Sequence, residues 1–192
     1  MQSILNPDVI LHAYQMGFFP MAESRDGEIF WHNPDPRAVF LLDNIKFRKD
    51  VIKKIKNGFF NFSIDRNFPE VINKCANRSE TWINDEIIEI YTELHYMGFA
   101  HSVEAWHDNQ LVGGLYGVSI GAAFFGESMF NTISDASKAA FYFLVHKLKN
   151  QNYLFLDSQY LNDFTQQLGA VEIPKQKYLN MLNMAINTYC EF

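Results

Sequence analysis

The spacing of apolar and polar residues along this 192-residue chain changes period repeatedly, and the changes outline its elements. Asn6-Pro7-Asp8 opens a short helix over Val9, Leu11, Ala13, Tyr14 and Met16, which Gly17 and Pro20 stop. Residues 21–36 contain Asp26-Gly27 and Asn33-Pro34-Asp35-Pro36 and are expected to form a loop. A strand is predicted over Ala38–Leu42. Phe47, Val51 and Ile55 then recur every four residues, as the buried stripe of a helix over 46–56 would. After Asn57-Gly58 come a strand over Phe59–Ile64 and helices over Phe68–Ala76 and Asp85–Tyr96, the second with acidic residues in its first turn.

The second half alternates differently. Ser102–His107 and Leu111–Val118 read as strands around the turn Asp108-Asn109-Gln110, and Ser119-Ile120-Gly121 leads into Ala122–Phe125, giving an antiparallel meander. Gly126-Glu127-Ser128-Met129-Phe130 reads as a Gly-rich hairpin. Ser134-Asp135 starts a helix over Ala136–Lys149, and a buried strand over Tyr153–Leu156 carries Asp157 and Gln159 at its end. Helices over Asn162–Leu168, closed by Gly169, and Lys177–Tyr189 complete the chain. The pattern predicts a mixed α/β (α+β) layer fold, with a small N-terminal domain over 1–36 and the main domain over 37–192.

Composition narrows the class. Residues are 48% hydrophobic, 18 are Phe and only 20% are charged, which excludes a disordered chain. Cys75 and Cys190 are isolated, so neither a disulfide framework nor a zinc site is expected. No 18-residue apolar run or secretory leader is visible, and the expectation is a cytosolic monomer that does not enter a membrane. Between Lys46 and Lys56, six cations (Lys46, Arg48, Lys49, Lys53, Lys54 and Lys56) stand against Asp50 alone. The local charge is +5, leaving −11 on the remainder of a chain whose total is −6. Two readings of this face are open: a solvated row of lysines, or a grip on phosphates whose strength falls steeply with salt.

The candidate chemistry lies between Tyr116 and Gln159, where few polar residues sit among many apolar ones, as in a pocket that holds an apolar group beside a reacting one. Gly126-Glu127-Ser128-Met129-Phe130 misses the nucleophile elbow of serine hydrolases because Phe130 replaces the second Gly. The six His show no ligand spacing, and no phosphate-cradling glycine motif occurs; Gly113-Gly114 marks a bulge or a close backbone approach. Neither metal nor cofactor is expected. Asp157 and Gln159, two apart on a strand, project to one side in extended geometry. Either they act together, the carboxylate fixing the Gln amide, or they form a satisfied pair capping the next helix.

Eight segments in register resemble the leucyl/phenylalanyl-tRNA-protein transferase family: Tyr14-x-x-Gly17-x-Phe19-Pro20, Trp31-x-x-Pro34-Asp35-Pro36-Arg37, Thr81-Trp82-Ile83, His101-Ser102-Val103-Glu104-x-Trp106, Leu111 to Val118, Gly126 to Phe130, Ala136-Ser137-Lys138 and Leu156-Asp157-x-Gln159. The resemblance implies a GNAT-like acyltransferase fold, similar to the Fem transferases. The implied reaction moves Leu, Phe or Met from aminoacyl-tRNA to the N-terminal Arg or Lys of a protein, creating a bacterial N-degron. It implies Asp157 and Gln159 as the catalytic pair and Leu115, Phe124, Met129, Leu144 and Leu156 as the side-chain pocket. Glu127 is placed at the rim on the aminoacyl α-ammonium, Trp82 on the terminal adenosine, and the 46–56 face on the acceptor stem. Family members often carry Trp where this chain has Met21, so Met21 or Trp31 is expected to complete the adenine site. The chain begins close to its first helix, so a reduced N-terminal domain is also expected. One alternative is a CoA-dependent acetyltransferase on the same fold, but the Gln/Arg-x-x-Gly-x-Gly/Ala pyrophosphate loop of such enzymes is missing from this chain at Ser119-Ile120-Gly121-Ala122. A non-catalytic adaptor for basic N-termini is the other alternative.

Overall fold

The computed structural model describes residues 5–192. Helix α1 (Pro7–Gln15) is capped by Asn6, whose side chain accepts the Val9 N–H. A small two-stranded sheet occupies the region of the predicted loop: β1 (Phe19–Ala22), which begins before it, and β2 (Ile29–His32), which lies within it. Each strand is four residues long and one holds Pro20, so pairing rather than periodicity makes them strands.

A seven-stranded sheet forms the body. Its strands are β3 (Arg37–Phe40), β4 (Asn61–Ile64), β5 (Ala100–His107), β6 (Gln110–Ile120), β7 (Ala123–Asn131), β8 (Phe155–Gln159) and β9 (Val171–Ile173), in the order β4-β5-β6-β7-β8-β3-β9. All neighbours are antiparallel except β7 and β8. The expected meander is β5-β6-β7. The segment 126–130 is not a hairpin but the second half of β7, and β9 lies where no strand was predicted.

The helices are α2 (Lys49–Lys56), α3 (Phe68–Ala76), α4 (Asp85–Tyr96), α5 (Ala136–Asn150), α6 (Asp163–Leu168) and α7 (Lys175–Ile186). The basic helix begins three residues later than predicted, leaving Lys46 and Arg48 on the approach to it, Arg48 as its N-cap. Two apolar cores form. One holds Ile10, Tyr14 and Phe19 with Val71, Ile87, Tyr91, Phe125 and Tyr178; the other gathers Phe40, Leu115, Phe124, Phe141, Leu144 and Leu156. Gly113 lets α5 approach β6: a Cβ there would lie 2.6 Å from the Ala136 Cβ.

Strands β7 and β8 pair in parallel only over Ala123–Phe125 and Phe155–Asp157, although β7 continues to Asn131 and β8 to Gln159. Both carry an irregularity where they part. On β7, Gly117 faces Gly126 and Tyr116 faces Ser128, so Glu127 is the extra residue of a bulge. On β8, Ala38 faces Gln159 and Val39 faces Asp157, which makes Ser158 the extra one. The two bulges re-aim side chains toward the gap between the strands.

Candidate active site

The gap opens into a cavity of about 610 Å3 whose walls divide by chemistry. Leu115, Met129, Phe141, Leu144, Leu156 and Phe164 give an apolar side, and Glu127, Asp157 and Gln159 lie at the polar centre. Met21, Arg78 and Trp82 belong to the other wall, where the Ala22 N–H donates to the Trp82 carbonyl at 3.2 Å and ties β1 to the Trp82 loop.

Asp157 is fully buried. Its Oδ1 accepts from Arg37 Nε at 3.0 Å and from the Gln159 backbone N–H at 2.9 Å; its Oδ2 accepts from Arg37 Nη2 at 2.8 Å and from the Tyr178 hydroxyl at 2.6 Å. Arg37, also fully buried, adds a hydrogen bond from Nη1 to the Gly17 carbonyl at 3.0 Å and lies 4.6 Å from the ring centres of both Phe19 and Tyr178. This charge pair has good bidentate geometry and supplementary hydrogen bonds, the conditions under which burial of two charges is tolerated. Four donors saturate the carboxylate. Asp157 therefore does not orient the Gln159 amide, as extended geometry suggested; it holds the Gln159 backbone, whose φ of +62° lies in the left-handed region.

The Gln159 side chain reaches across the gap instead. Its Nε2 donates to Glu127 Oε1 at 2.9 Å, and the Tyr14 hydroxyl donates to the same oxygen at 2.6 Å. The Tyr91 hydroxyl pairs with that of Tyr14. With one amide N–H given to Glu127, the Gln159 carbonyl oxygen is the acceptor left for a ligand, beside the second N–H. Glu127 is half-buried on the cavity wall. Its Oε2 is buried with no hydrogen-bond partner among the described residues, as is the Tyr116 hydroxyl, and both residues line the cavity. Buried polar atoms left this way are expensive in an empty site and favourable in one completed by a bound donor.

Burial pushes the Glu127 carboxyl up to about 7, against the lowering effect of the Tyr14 and Gln159 hydrogen bonds. The folded chain thus holds this proton more tightly than the unfolded chain, in which a Glu titrates near 4.3. Between those two pH values the native state binds more protons, so unfolding free energy falls as pH rises through the window and levels off above about 7. Denaturant melts from pH 5 to 8 should show this decline, and Glu127→Gln should flatten it; an unchanged slope in the variant would assign the titration to another group.

Other expected site residues fall in two classes. Leu115, Met129, Leu144 and Leu156 line the cavity, as do Met21 and Trp82. Phe124 does not: it is fully buried, stacked on Phe192 at 5.2 Å, on the far part of the same core. Trp31 lies on β2 opposite Pro20, 40% exposed and outside the cavity walls. Tyr160 is at the wall instead, its hydroxyl 2.8 Å from His32 Nδ1. Of the basic face, Lys46, Arg48, Lys49, Lys53 and Lys56 are exposed, while Lys54 is drawn into an ion pair with Asp135 and Arg48 into one with Asp50.

Sequence reasoning gave no role to Arg37, Tyr14, Tyr91, Tyr116 or Tyr178. Tyr14, Arg37 and Tyr116 do stand inside the segments that carried the resemblance, which was the available signal. Among the described residues no three His, Cys, Asp or Glu side chains converge as a metal site, and no helix is long and apolar enough to cross a membrane.

The chain matches the leucyl/phenylalanyl-tRNA protein transferase family model over residues 39–183 and the family's N-terminal domain model over residues 4–35. It is 47% identical over 188 residues to a leucyl/phenylalanyl-tRNA--protein transferase of Gloeobacter violaceus, covering 98% of this chain and 97% of that one. It is 46% identical to the Ruegeria pomeroyi protein of the same name, covering 98% and 90%. Among solved structures it is similar in fold to FemX, with a TM-score of 0.56 at 10% identity, over 92% of this chain and 71% of that one. L-PGS from Bacillus licheniformis follows at 0.50 and 10%, over 93% and 70%. The mixed α/β transferase fold expected from the sequence is thus present, and the chain belongs to the leucyl/phenylalanyl-tRNA protein transferase family.

Proposed function

We propose that this protein transfers Leu or Phe, and also Met, from aminoacyl-tRNA to the N-terminal Arg or Lys of an acceptor protein, forming a peptide bond that creates an N-degron. It would act as a cytosolic monomer, with a small domain over residues 1–36 preceding the catalytic domain. The observation that carries this reading is the pairing of an apolar cavity with two buried, unsatisfied polar atoms on Glu127 and Tyr116.

In this reading Leu115, Met129, Leu144 and Leu156 receive the donor side chain, and the flexible Met129 adapts to either guest. Glu127 Oε2 accepts from the donor's α-ammonium. The terminal adenine stacks on Trp82, with Met21 beside it. The acceptor amine, held by the Gln159 carbonyl oxygen, attacks the ester carbon; the new C–N bond forms, the C–O bond to ribose breaks, and the proton lost by nitrogen passes to the departing ribose oxygen. The ester is already activated and an α-amine titrates at about 7.7–8.0, so positioning supplies most of the acceleration. Gln159 is a positioning group, and Asp157 with Arg37 keeps it in place. The exposed cations Lys46, Arg48, Lys49, Lys53 and Lys56 meet the RNA backbone.

The test is transfer of labelled Leu from Leu-tRNA to peptides beginning with Arg, Lys, Asp or Ala, over a salt series. Label is expected on the Arg and Lys peptides only. Lys49→Glu with Lys53→Glu should raise KM for the RNA and make the salt dependence shallower, because fewer counterions are released on binding. Label on Asp peptides alone would overturn the acceptor assignment, and no label on any peptide would overturn the transferase reading.

A further inference from the structure

A second hollow of about 190 Å3 lies behind one wall of the main cavity. Phe47, Val51, Phe164 and Leu168 give it an apolar lining, and Lys46, Arg48 and Lys138 give it cationic walls. Phe164 and Leu168 line both spaces. They are four residues apart on α6, hence on one helix face, and together they form the partition.

The two residues are held differently. Leu168 is buried, its carbonyl accepts the Lys46 N–H at 2.8 Å, and Gly169 follows it with φ of +101°. Phe164 is half-buried and lies near the start of α6, just after the turn that Gln159 makes in the left-handed region. On the cavity side it belongs to the same apolar cluster as Leu115, Met129, Phe141, Leu144 and Leu156. The side chain of Phe164 is therefore the half-buried part of the partition, and Leu168 the buried part.

From this we propose that Phe164 sets the upper size limit on the donor's side chain, closing the aminoacyl pocket against the space behind it. The inference rests on the assignment of the cavity's apolar side to the donor side chain. A single methylene in an apolar pocket changes discrimination by about 10–200-fold, so removing a whole ring from the wall should be plainly visible. Phe164→Ala joins the two spaces and should raise kcat/KM for Trp-tRNA relative to Leu-tRNA by about tenfold or more. Phe164→Trp thickens the panel and should lower the Phe-to-Leu ratio instead. A residue that merely supported the fold would depress all donors together and leave the ratios unmoved.

The experiment measures transfer of Leu, Phe and Trp from their tRNAs to an Arg-initial peptide with the wild type, Phe164→Ala, Phe164→Leu and Phe164→Trp. In parallel, it measures binding of 3′-aminoacylamido-adenosine analogues carrying the same three side chains. Opposite shifts of the ratios for the smaller and larger residues support the proposal; ratios within twofold of wild type in every folded variant overturn it. Should Phe164→Ala fail to fold, Phe164→Leu and Phe164→Trp decide. If the wild type transfers nothing, the transferase reading fails, and the analogue affinities still judge Phe164 separately.

Discussion

Replacing Arg37 by Ala should lower the unfolding free energy by about 3–5 kcal/mol, the usual consequence of removing one partner from a buried ion pair. The loss has three sources at this position. Asp157 keeps only the Gln159 N–H and the Tyr178 hydroxyl as donors, the Gly17 carbonyl loses its bond, and the space between the Phe19 and Tyr178 rings empties. At roughly 2–4 °C per kcal/mol for a chain of this size, the melting temperature should drop by about 6–20 °C. Arg37→Lys should recover only part of it, because one ammonium cannot give the two parallel bonds that Nε and Nη2 make. Thermal melts at pH 7 check this. Full recovery by Lys would show that charge alone, rather than the forked geometry, supports Asp157.

Gln159→Ala should leave the melting temperature nearly unchanged and reduce kcat for transfer by about a hundredfold, the scale on which a misplaced reactant costs rate. The separation of effects follows from geometry. The backbone N–H at 159 remains to bond Asp157 Oδ1, so the strand end keeps its shape, while Glu127 Oε1 loses one of two donors and the cavity loses its free carbonyl oxygen. Gln159→Glu is the sharper variant. It sets a second carboxyl against Glu127, which already titrates near 7, so the pair should share a proton and activity should fall as pH rises past neutrality. A rate above wild type in Gln159→Glu would instead identify position 159 as a base.

How far the sequence revealed this arrangement depended on the range of the interactions involved. The helices α3 and α4 match the residues predicted for them because Asn67 and Asn84 cap them and their apolar periods are complete within a dozen residues. Strands β1, β2 and β9 were not legible because their three or four residues contain or adjoin Pro20, Asn33-Pro34 and Pro174, which read as turn punctuation; pairing with a neighbouring strand defines them. The apolar pocket was legible from composition, yet Phe124 was misplaced, because neighbouring positions on one face of a strand can line a cavity or lie behind it. The Asp157–Gln159 pairing was legible as spacing and wrong in its detail. Two bulges, each costing the ladder one residue, turn Gln159 toward Glu127 on another strand. No local pattern announces a bulge at Ser158, and nothing about an isolated Arg37 beside prolines announces a buried partner 120 residues away.

The position of β3 between β8 and β9 has a consequence for how the molecule comes into being. On the ribosome, residues 37–40 have neither neighbour in the sheet until residues 155–159 and 171–173 have been made. Closing a loop of that length before any contact rewards it makes for slow, late assembly. A nascent chain that stops at Leu168 would have Arg37 and Asp157 but would lack both β9 and Tyr178, and with them one edge of the sheet and one of the four donors to Asp157. The polar centre of the site is thus completed only once Tyr178 has been made, long after Arg37 and after Asp157 itself.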